Sequence, residues 1–387
     1  MPYMDSIFVS LLKPIDRRQF RALVEQFDGD AYDKSFKSWD HLVTMIYAQF
    51  SHAEGLRGLE AAFNANAHHH YHLGVGRLSR STLSDANARR PVEIFAALFS
   101  GLSQQVDRAV RREGAEVLRL IDASPIPLGK LCDWASWNGR IRGMKLHVVY
   151  DPKTDRPCAV ELTPASVNDI EVGRKVALEA GAAYVFDKAY CHYGWWTKIH
   201  EAEATFVTRA KRSMRLRATK RRNLKKLIGD GFRVIRDDEV RLASKGDSKL
   251  AIPLRRIKVR RDDGGTITLI TNDMKRAAVA IATLYKIRWQ IELLFRWLKQ
   301  HLRIRKFLAH NHNAIQIQVL TAMIAYLLIR LAARLNAMKI PMLRLAELVG
   351  QCLFIRKRFH QIDRPPPVNP SRPMPKTSTN QLAFCYA

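Results

Sequence analysis

The chain has 387 residues, 47% of them hydrophobic, and its 64 lysines and arginines against 36 aspartates and glutamates give a net charge of +28. This length and apolar content suffice for two or three domains with a substantial core and exclude a disordered protein. The excess of positive charge indicates a polyanionic partner, for which nucleic acid is the first candidate.

A membrane surface would also attract basic charge, but the sequence has no run of about 18 apolar residues. The longest apolar stretch, 322–331, is interrupted by Arg330. The N-terminal residues lack the basic region and cleavage site of a signal peptide. The five cysteines are scattered and never form a CxxC spacing, which is typical of a reducing compartment. We therefore expect a cytoplasmic, nucleoid-associated protein with no membrane contact.

Residues 1–112 are predicted to form a separate helical N-terminal domain, because apolar residues recur at helical spacing and no alternating strand pattern appears. After a Gly-containing turn, Ser79 or Ser81 is predicted to cap a short basic helix that ends before Pro91. This helix could lie in a DNA groove or simply connect two elements. The histidines at 68, 69, 70 and 72 are predicted to form a polar loop, since a consecutive run cannot point at one metal ion.

Residues 113–338 are predicted to form an α/β domain. Strands are expected at 117–121, 145–150, 157–162 and 184–186, with a helix at 169–179. This order is typical of a ribonuclease-H-like domain. A β-rich basic insertion is expected at about 205–272, with strands at 205–209, 232–236, 257–260 and 267–270, and a helix follows at 313–338. The C-terminal segment 339–387 is Pro-rich and is predicted to be partly disordered.

Two aspartates are predicted to lie at strand ends. Asp122 follows the first apolar strand in LRLIDASPI, and Asp187 follows a later one in YVFDKAY. An aspartate just beyond a buried strand is held on rigid backbone at the rim of the sheet. Because two such positions on adjacent strands can converge, the pair is a candidate site.

The segment 285–299 is predicted to be one amphipathic helix. Its polar residues Tyr285, Arg288, Glu292 and Lys299 fall within an arc of about 60°. The apolar residues Ile287, Ile291, Leu294 and Leu298 form the opposite stripe. Taken alone, the spacing of Arg288 and Glu292 is also that of an ordinary i,i+4 salt bridge.

The spacing Tyr-x2-Arg-x3-Glu-x6-Lys resembles the signature of bacterial transposases of the insertion sequence 4 family. The motifs around Asp122 and Asp187 resemble the family's first and second aspartate motifs, and the N-terminal segment resembles the helical domain of one branch. The resemblance implies a ribonuclease-H-like fold with a catalytic triad of Asp122, Asp187 and Glu292. It also implies that Tyr285, Arg288 and Lys299 bind phosphates.

The triad residues are all hard oxygen ligands, which suit Mg²⁺ or Mn²⁺. Two such ions, roughly 4 Å apart, can activate a nucleophile and stabilise the leaving oxygen of phosphoryl transfer. In the family, one site nicks the element end, forms and reopens a hairpin, and joins the end to target DNA. The expected partners are double-stranded terminal inverted repeats and target DNA, bound by a homodimer in the synaptic complex.

Further DNA contacts are predicted outside the signature. Trp289 could stack a flipped base or could pack in the core. Lys188 and Tyr190, beside Asp187, are also candidate DNA contacts. Away from these contacts, Asp169 is predicted to cap a helix, and His147 could support the metal ligands or simply pack. The run 209–226 holds ten basic residues and no acidic one, so Arg209, Arg212, Arg221 and Arg222 are predicted phosphate contacts. The alternative for this run is a solvated basic loop.

The sequence therefore predicts a metal-dependent DNA transposase. One alternative is a ribonuclease-H-like nuclease or resolvase that cleaves without joining. The other is a non-catalytic DNA-binding regulator derived from a transposase, against which the intact triad argues.

Overall fold

The computed structural model of the protein describes residues 4–51, 53–110, 116–129, 132, 134–135, 142–223, 228–242, 252–302 and 307–364. The Pro-rich end whose disorder is predicted, residues 364–375, lies outside the described residues apart from Arg364. The part of the basic run at 224–226 also lies outside them.

A ten-stranded mixed sheet runs through the molecule. Its strands are β1 (Leu118–Pro127), β2 (Gly143–Asp151), β3 (Arg156–Pro164), β4 (Ala183–Phe186), β5 (Thr205–Arg209), β6 (Leu216–Arg221), β7 (Ile228–Gly229), β8 (Phe232–Leu242), β9 (Leu254–Arg261) and β10 (Thr266–Thr271). The strand order is β3-β2-β1-β4-β5-β10-β9-β8-β6, and β7 pairs with β8. Strands β1, β4 and β5 are parallel, and the other pairs are antiparallel.

Helices lie before, between and after the strands. They are α1 (Ile7–Leu12), α2 (Arg17–Gln26), α3 (Ser38–Phe50), α4 (Gly55–Asn64), α5 (His70–Leu73), α6 (Arg80–Arg89), α7 (Val92–Val110), α8 (Asp169–Gly173), α9 (Tyr193–Glu201), α10 (Ala278–Ile287), α11 (Trp289–His301), α12 (His312–Leu335) and α13 (Met342–Cys352). The N-terminal helices α3, α6 and α7 pack on α12, and α7 also contacts β3. The helical region therefore shares one core with the sheet.

The two faces of the sheet are covered differently. On the first face, Leu120 of β1, Val185 of β4, Val207 of β5 and Ile257 of β9 belong to the core that includes α10, α11 and α12. On the second face, aromatic side chains of β4, β5 and α9 form a separate cluster. Side chains alternate between faces along a strand, so each residue's face follows from its position.

Helix α12 is long and apolar enough to cross a membrane, judged by length and composition. However, 89% of its most apolar window is buried inside the protein. It is a core helix around which the N-terminal helices assemble.

Several predicted elements need correction. Strand β5 pairs in parallel with β4, and β10, β9, β8 and β6 continue the same sheet, so the β-rich insertion predicted at 205–272 extends the sheet of the α/β domain. The helix predicted at 169–179 ends at Gly173. The histidine run forms a 3₁₀ turn and α5 instead of a loop, and His70 is buried with its Nε2 atom 3.1 Å from the Phe63 carbonyl oxygen.

Candidate active site

Asp122 and Asp187 lie side by side at the end of the parallel part of the sheet. The parallel pairing of β1 with β4 ends at Ile121 opposite Phe186, and each aspartate is the next residue. Strand β1 is longer than predicted, because it continues to Pro127 along β2, so Asp122 lies within the strand. The predicted convergence of the two residues depends on this register.

The segment carrying the four-residue signature is not one helix. Helix α10 ends at Ile287 and α11 begins at Trp289, with Arg288 between them. The Arg288 amide donates to the Tyr285 carbonyl, and the Ile291 amide donates to the Arg288 carbonyl, both at 3.2 Å. These tighter i→i+3 bonds replace the α-helical pattern. The buried side chains of Ile291 and Leu298 still anchor α11 as predicted.

Arg288 joins two members of the predicted triad. Its guanidinium donates to Asp122 Oδ2 at 3.3 Å and to Glu292 Oε1 at 2.6 Å. All three side chains are largely shielded from solvent, since 16% of Arg288, 19% of Asp122 and 32% of Glu292 is exposed. The i,i+4 salt bridge and the convergence on Asp122 are therefore both present.

Two other signature residues reach the same region. The Tyr285 hydroxyl donates to Asp187 Oδ1 at 3.4 Å, and the Arg288 guanidinium lies 5.6 Å from the Tyr285 ring centre. Lys299 Nζ donates to Ser124 Oγ at 2.6 Å. Ser124 is two residues after Asp122 and therefore points to the same face of β1. The four signature residues thus lie along a line from β4 to β1.

A cavity of about 440 Å³ opens between β1 and α11. Its lining includes Asp122, Ser124, Glu292, Arg296 and Lys299. Strand alternation could have indicated Ser124 from the sequence, whereas nothing in the spacing of α11 singled out Arg296. The cavity provides two carboxylates and two cations beside an open surface, which suits a phosphate group.

Burial raises the pKa of Asp122 to about 6. The Ala123 amide and Arg288 oppose the shift, and the carboxylates of Glu292 and Asp187 reinforce it. A carboxylate surrounded by others in a partly buried position favours a bound cation. In this structure that cation is Arg288.

The donor chemistry of the triad fits a hard divalent ion, since it consists only of carboxylate oxygens. Within the described residues, however, no three His, Cys, Asp or Glu side chains are placed to hold one metal ion. The Arg288 guanidinium occupies the position between Asp122 and Glu292. The three carboxylates are therefore chemically suited to a divalent ion, but in this structure two of them are arranged around the Arg288 guanidinium.

The predicted DNA contacts nearest the triad are accessible. Trp289 is 49% exposed, so the core alternative is wrong, and Arg296 stacks over its ring with 5.7 Å to the centre. Lys188 is exposed in the 3₁₀ turn after Asp187. Arg209 ends β5 close enough to Tyr285 to oppose the rise in pKa that burial causes there. DNA contact by these residues stays a prediction.

The other predicted contacts in the basic run differ among themselves. Arg212 and Arg221 are exposed, Arg212 after β5 and Arg221 on the edge strand β6. Arg222 is held within the protein, with ion pairs to Asp237 at 3.9 Å and Glu239 at 3.2 Å. A guanidinium with two internal partners is a poorer candidate for binding phosphate.

Three weaker sequence interpretations are also decided. Tyr190 is buried and is not an accessible DNA contact. His147 is packed on the second face of the sheet, where its Nε2 atom lies 2.8 Å from Thr163 Oγ1. Asp169 does not cap α8, since it is the first helical residue and instead binds Lys145 Nζ at 2.9 Å.

Comparison with known proteins identifies the family of the chain. The family described as "Transposase DDE domain" matches residues 113–328, and a domain of unknown function matches residues 4–76. A protein named as a transposase in Sinorhizobium fredii is 62% identical over 304 residues, covering 79% of this chain and 85% of its own. A protein named as an insertion-sequence transposase in Geobacillus stearothermophilus is 30% identical over 261 residues, covering 66% and 68%.

A cryo-electron microscopy structure of a piggyBac transposase synaptic complex with hairpin DNA superposes with a TM-score of 0.46 at 10% identity, covering 94% of this chain and 81% of that one. This likeness is too distant to support an argument. The family match and the Sinorhizobium relative place the protein in the class of DDE-domain enzymes that act on DNA. More particularly, the chain belongs to the bacterial insertion-sequence transposases, a family that generally depends on divalent metal ions.

Proposed function

We propose that this transposase carries out cut-and-paste transposition in the manner of the insertion sequence 4 family, with Asp122, Asp187 and Glu292 as its catalytic triad. One observation carries the proposal: Arg288 binds both Asp122, 166 residues away in the sequence, and Glu292. Tyr285 of the same signature binds Asp187. Residues named from separate motifs therefore meet at one place.

The proposed metal ligands are Asp122, Asp187 and Glu292. Mg²⁺ or Mn²⁺ bound there in a two-metal site would activate a water or 3′-hydroxyl and stabilise the leaving oxygen of a phosphodiester. Arg288 must then exchange its carboxylate partners for another anion, and a DNA phosphate is the natural one. A guanidinium binds phosphate bidentately as well as it binds carboxylate.

The remaining signature residues are proposed to position DNA. Lys299 lines the cavity beside Ser124, where its ammonium can bind a phosphate as a point charge. Trp289 presents an exposed ring at the start of α11, which is suited to stacking a base extruded from the duplex. Lys188, Arg209 and Arg212 would extend the phosphate contacts beside β4 and β5, and Arg221 would add one on the edge strand β6 at the far end of the sheet.

We propose three domains with the boundaries expected from the sequence: a DNA-binding region at 1–112, a ribonuclease-H-like catalytic region at 113–338 that carries the β-rich extension, and the segment 339–387. The enzyme would work in the cytoplasm on nucleoid DNA. Accurate excision needs two active sites on two terminal repeats, so a homodimer is proposed for the DNA complex.

The test uses the full-length protein and a duplex containing the element end. Wild-type protein should nick this duplex in Mg²⁺, and Glu292→Gln, which keeps the side-chain shape and removes the charge, should lower nicking by at least about 100-fold. Binding of the duplex should stay within a few fold. Pre-cut ends should be joined to plasmid DNA by the wild type.

Each alternative makes a different prediction in this assay. Nicking without joining of pre-cut ends would identify a nuclease or resolvase. Binding without nicking by the wild type would favour a regulator. If Glu292→Gln nicked at the wild-type rate, the catalytic assignment would be wrong.

A further inference from the structure

Three cations lie in or beside the cavity between β1 and α11, and two of them are already bound within the protein. Arg288 is bound to two carboxylates of the proposed triad. Lys299 Nζ donates to Ser124 Oγ at 2.6 Å. Arg296 also lines the cavity, but it is exposed and has no ion pair or hydrogen bond with another residue in the described part of the chain. Its guanidinium can therefore bind an external anion without first releasing an internal one.

The sequence spacing would pair Arg296 with Glu292. Glu292 precedes it by four residues, and an acidic residue before a basic one at this spacing is the favourable order for an ion pair on a helix. In the structure, however, Glu292 Oε1 accepts from Arg288 at 2.6 Å. The Arg288 guanidinium also lies 3.3 Å from Asp122 Oδ2, so it binds both carboxylates at once. Arg296 lacks a carboxylate partner because Arg288 holds the one that lies nearest along the helix.

A contact with Trp289 orients Arg296. The two residues are two helical turns apart on the same side of α11. The guanidinium carbon of Arg296 lies 5.7 Å from the centre of the Trp289 ring, and both side chains are exposed. A guanidinium that stacks on an aromatic ring keeps its in-plane N–H groups available as donors. Stacking also restricts the rotamers of Arg296, so less conformational entropy is lost when an anion binds.

An anion bound by Arg296 would lie beside the proposed metal ligands. Arg296 follows Glu292 by four residues and precedes Lys299 by three, and Cβ atoms at these spacings are about 5–6 Å apart on a helix. Asp122 and Glu292 line the same cavity as Arg296. A DNA phosphate must enter this cavity for the proposed reaction, so it is the anion that fits the position.

We propose that Arg296 is a positioning residue that binds a DNA phosphate in the cavity without metal, whereas Arg288 binds phosphate only when its carboxylates are occupied by metal. The inference rests on the proposed function, because it assumes that the strand to be cleaved enters this cavity. Phosphate binding by Arg288 requires the loss of two charge-assisted hydrogen bonds. Phosphate binding by Arg296 requires no such loss, so its contribution to DNA affinity does not depend on metal.

The test measures binding of the full-length protein to a duplex containing the element end, by fluorescence anisotropy in EDTA and in Ca²⁺. Ca²⁺ is a hard cation that takes oxygen ligands as Mg²⁺ does, and gels of the same samples verify that the duplex stays uncut. The variants are Arg296→Gln and Arg288→Gln, each of which removes one positive charge. The matched control is Lys286→Gln, since Lys286 is an exposed cation of α10 that pairs with Asp230.

The two arginines should differ in how their loss depends on metal. Arg296→Gln should lower the affinity about tenfold in both buffers, which corresponds to one charge-assisted hydrogen bond to phosphate. Arg288→Gln should lower it by less than about threefold in EDTA and by about tenfold in Ca²⁺. The lost phosphate contact of Arg296→Gln should also reduce the slope of log affinity against log salt by about 0.9 in both buffers. The control should bind like the wild type.

Two further measurements separate positioning from folding. Arg296→Lys keeps the positive charge and should bind within about threefold of the wild type. In Mg²⁺, Arg296→Gln should raise the protein concentration for half-maximal end cleavage by about tenfold and leave the maximal rate within about threefold. The reason is that a contact made both before and during the reaction contributes to binding and not to the chemical step. Circular dichroism melting verifies that each variant is folded.

Wild-type affinity of Arg296→Gln in EDTA would overturn the proposal, as would a loss that is present only in Ca²⁺. Equal affinities of Arg296→Lys and Arg296→Gln would show that the loss does not come from a phosphate contact. An equal loss for Arg288→Gln in both buffers would contradict the metal dependence proposed for that residue. If the wild type nicked no ends in Mg²⁺, the proposed function would fail, but binding in EDTA would still decide whether Arg296 contacts DNA.

Discussion

Replacing Arg288 with glutamine tests whether this arginine is the internal counter-ion of the triad. The change removes charge-assisted bonds to Asp122 at 3.3 Å and to Glu292 at 2.6 Å. Breaking a fully buried ion pair costs about 3–5 kcal/mol, so these partly exposed contacts should cost about 2–3 kcal/mol. For a chain of 387 residues this lowers the melting temperature by about 3 °C.

Mg²⁺ should raise the melting temperature of the same variant more than it raises that of the wild type. Once glutamine replaces Arg288, a divalent ion no longer competes with a guanidinium for Asp122 and Glu292. A ligand at 100 times its Kd stabilises the folded state by about 2.7 kcal/mol, which would restore most of the lost melting temperature. In the wild type without DNA, the rise with Mg²⁺ should be smaller, because the ion must first displace Arg288.

Thermal unfolding with EDTA and with saturating Mg²⁺ measures both effects, and isothermal titration with Mn²⁺ gives the affinity directly. The matched control is Lys286→Gln on α10, since Lys286 is exposed and pairs with Asp230 instead of a triad carboxylate. It should behave like the wild type. The reasoning is refuted if Mg²⁺ stabilises the wild type as much as Arg288→Gln, or if that variant loses no stability in EDTA.

Two further outcomes follow from the burial of single residues. Trp289→Ala should change stability by less than about 0.5 kcal/mol, because the ring is half exposed, yet it should reduce products that require an extruded base, while Trp289→Phe retains them. Equal product yields from the two variants, measured on sequencing gels, would exclude stacking. Burial lowers the pKa of His41 to about 3 in the folded protein, whereas the pKa in the unfolded chain is about 6.5. The free energy of unfolding is therefore highest above pH 6.5 and falls by about 2 kcal/mol at pH 5, because the unfolded chain takes up the proton. His41→Gln should remove that part of the difference between pH 7 and pH 5 in urea unfolding, and an unchanged difference would show that His41 does not take up the proton.

The strand-end aspartates could be predicted because their signal is local. A short apolar run followed by Asp identifies a buried strand and its rim, and this holds for Asp187 after β4. For Asp122 the same reasoning identified the residue but placed it after the strand, whereas β1 continues past Asp122 and pairs there with β2. Antiparallel pairing with a distant strand leaves little trace in the sequence of one strand.

The break at Arg288 could not be predicted from its neighbours. The segment from Ala278 to His301 contains neither proline nor glycine, so its pattern is that of a continuous helix. The interruption coincides with tertiary contacts, since Arg288 reaches Asp122 on a different element. The pairing of Arg233 with Arg260 could not be predicted for a similar reason, because these residues become neighbours only through strand pairing.

From the sequence, Glu292 could be either the partner of Arg288 in an ordinary salt bridge or a member of the catalytic triad, but the two roles are compatible. Asp122, Asp187 and Glu292 cannot converge as anions in a partly buried site without a cation nearby. Arg288 supplies that cation in the protein itself, while burial keeps the pKa of Asp122 raised to about 6. The carboxylates can exchange the guanidinium for a divalent cation, which carries twice its charge. Phosphate can in turn accept the released guanidinium, so DNA binding and metal binding are expected to strengthen each other at this residue.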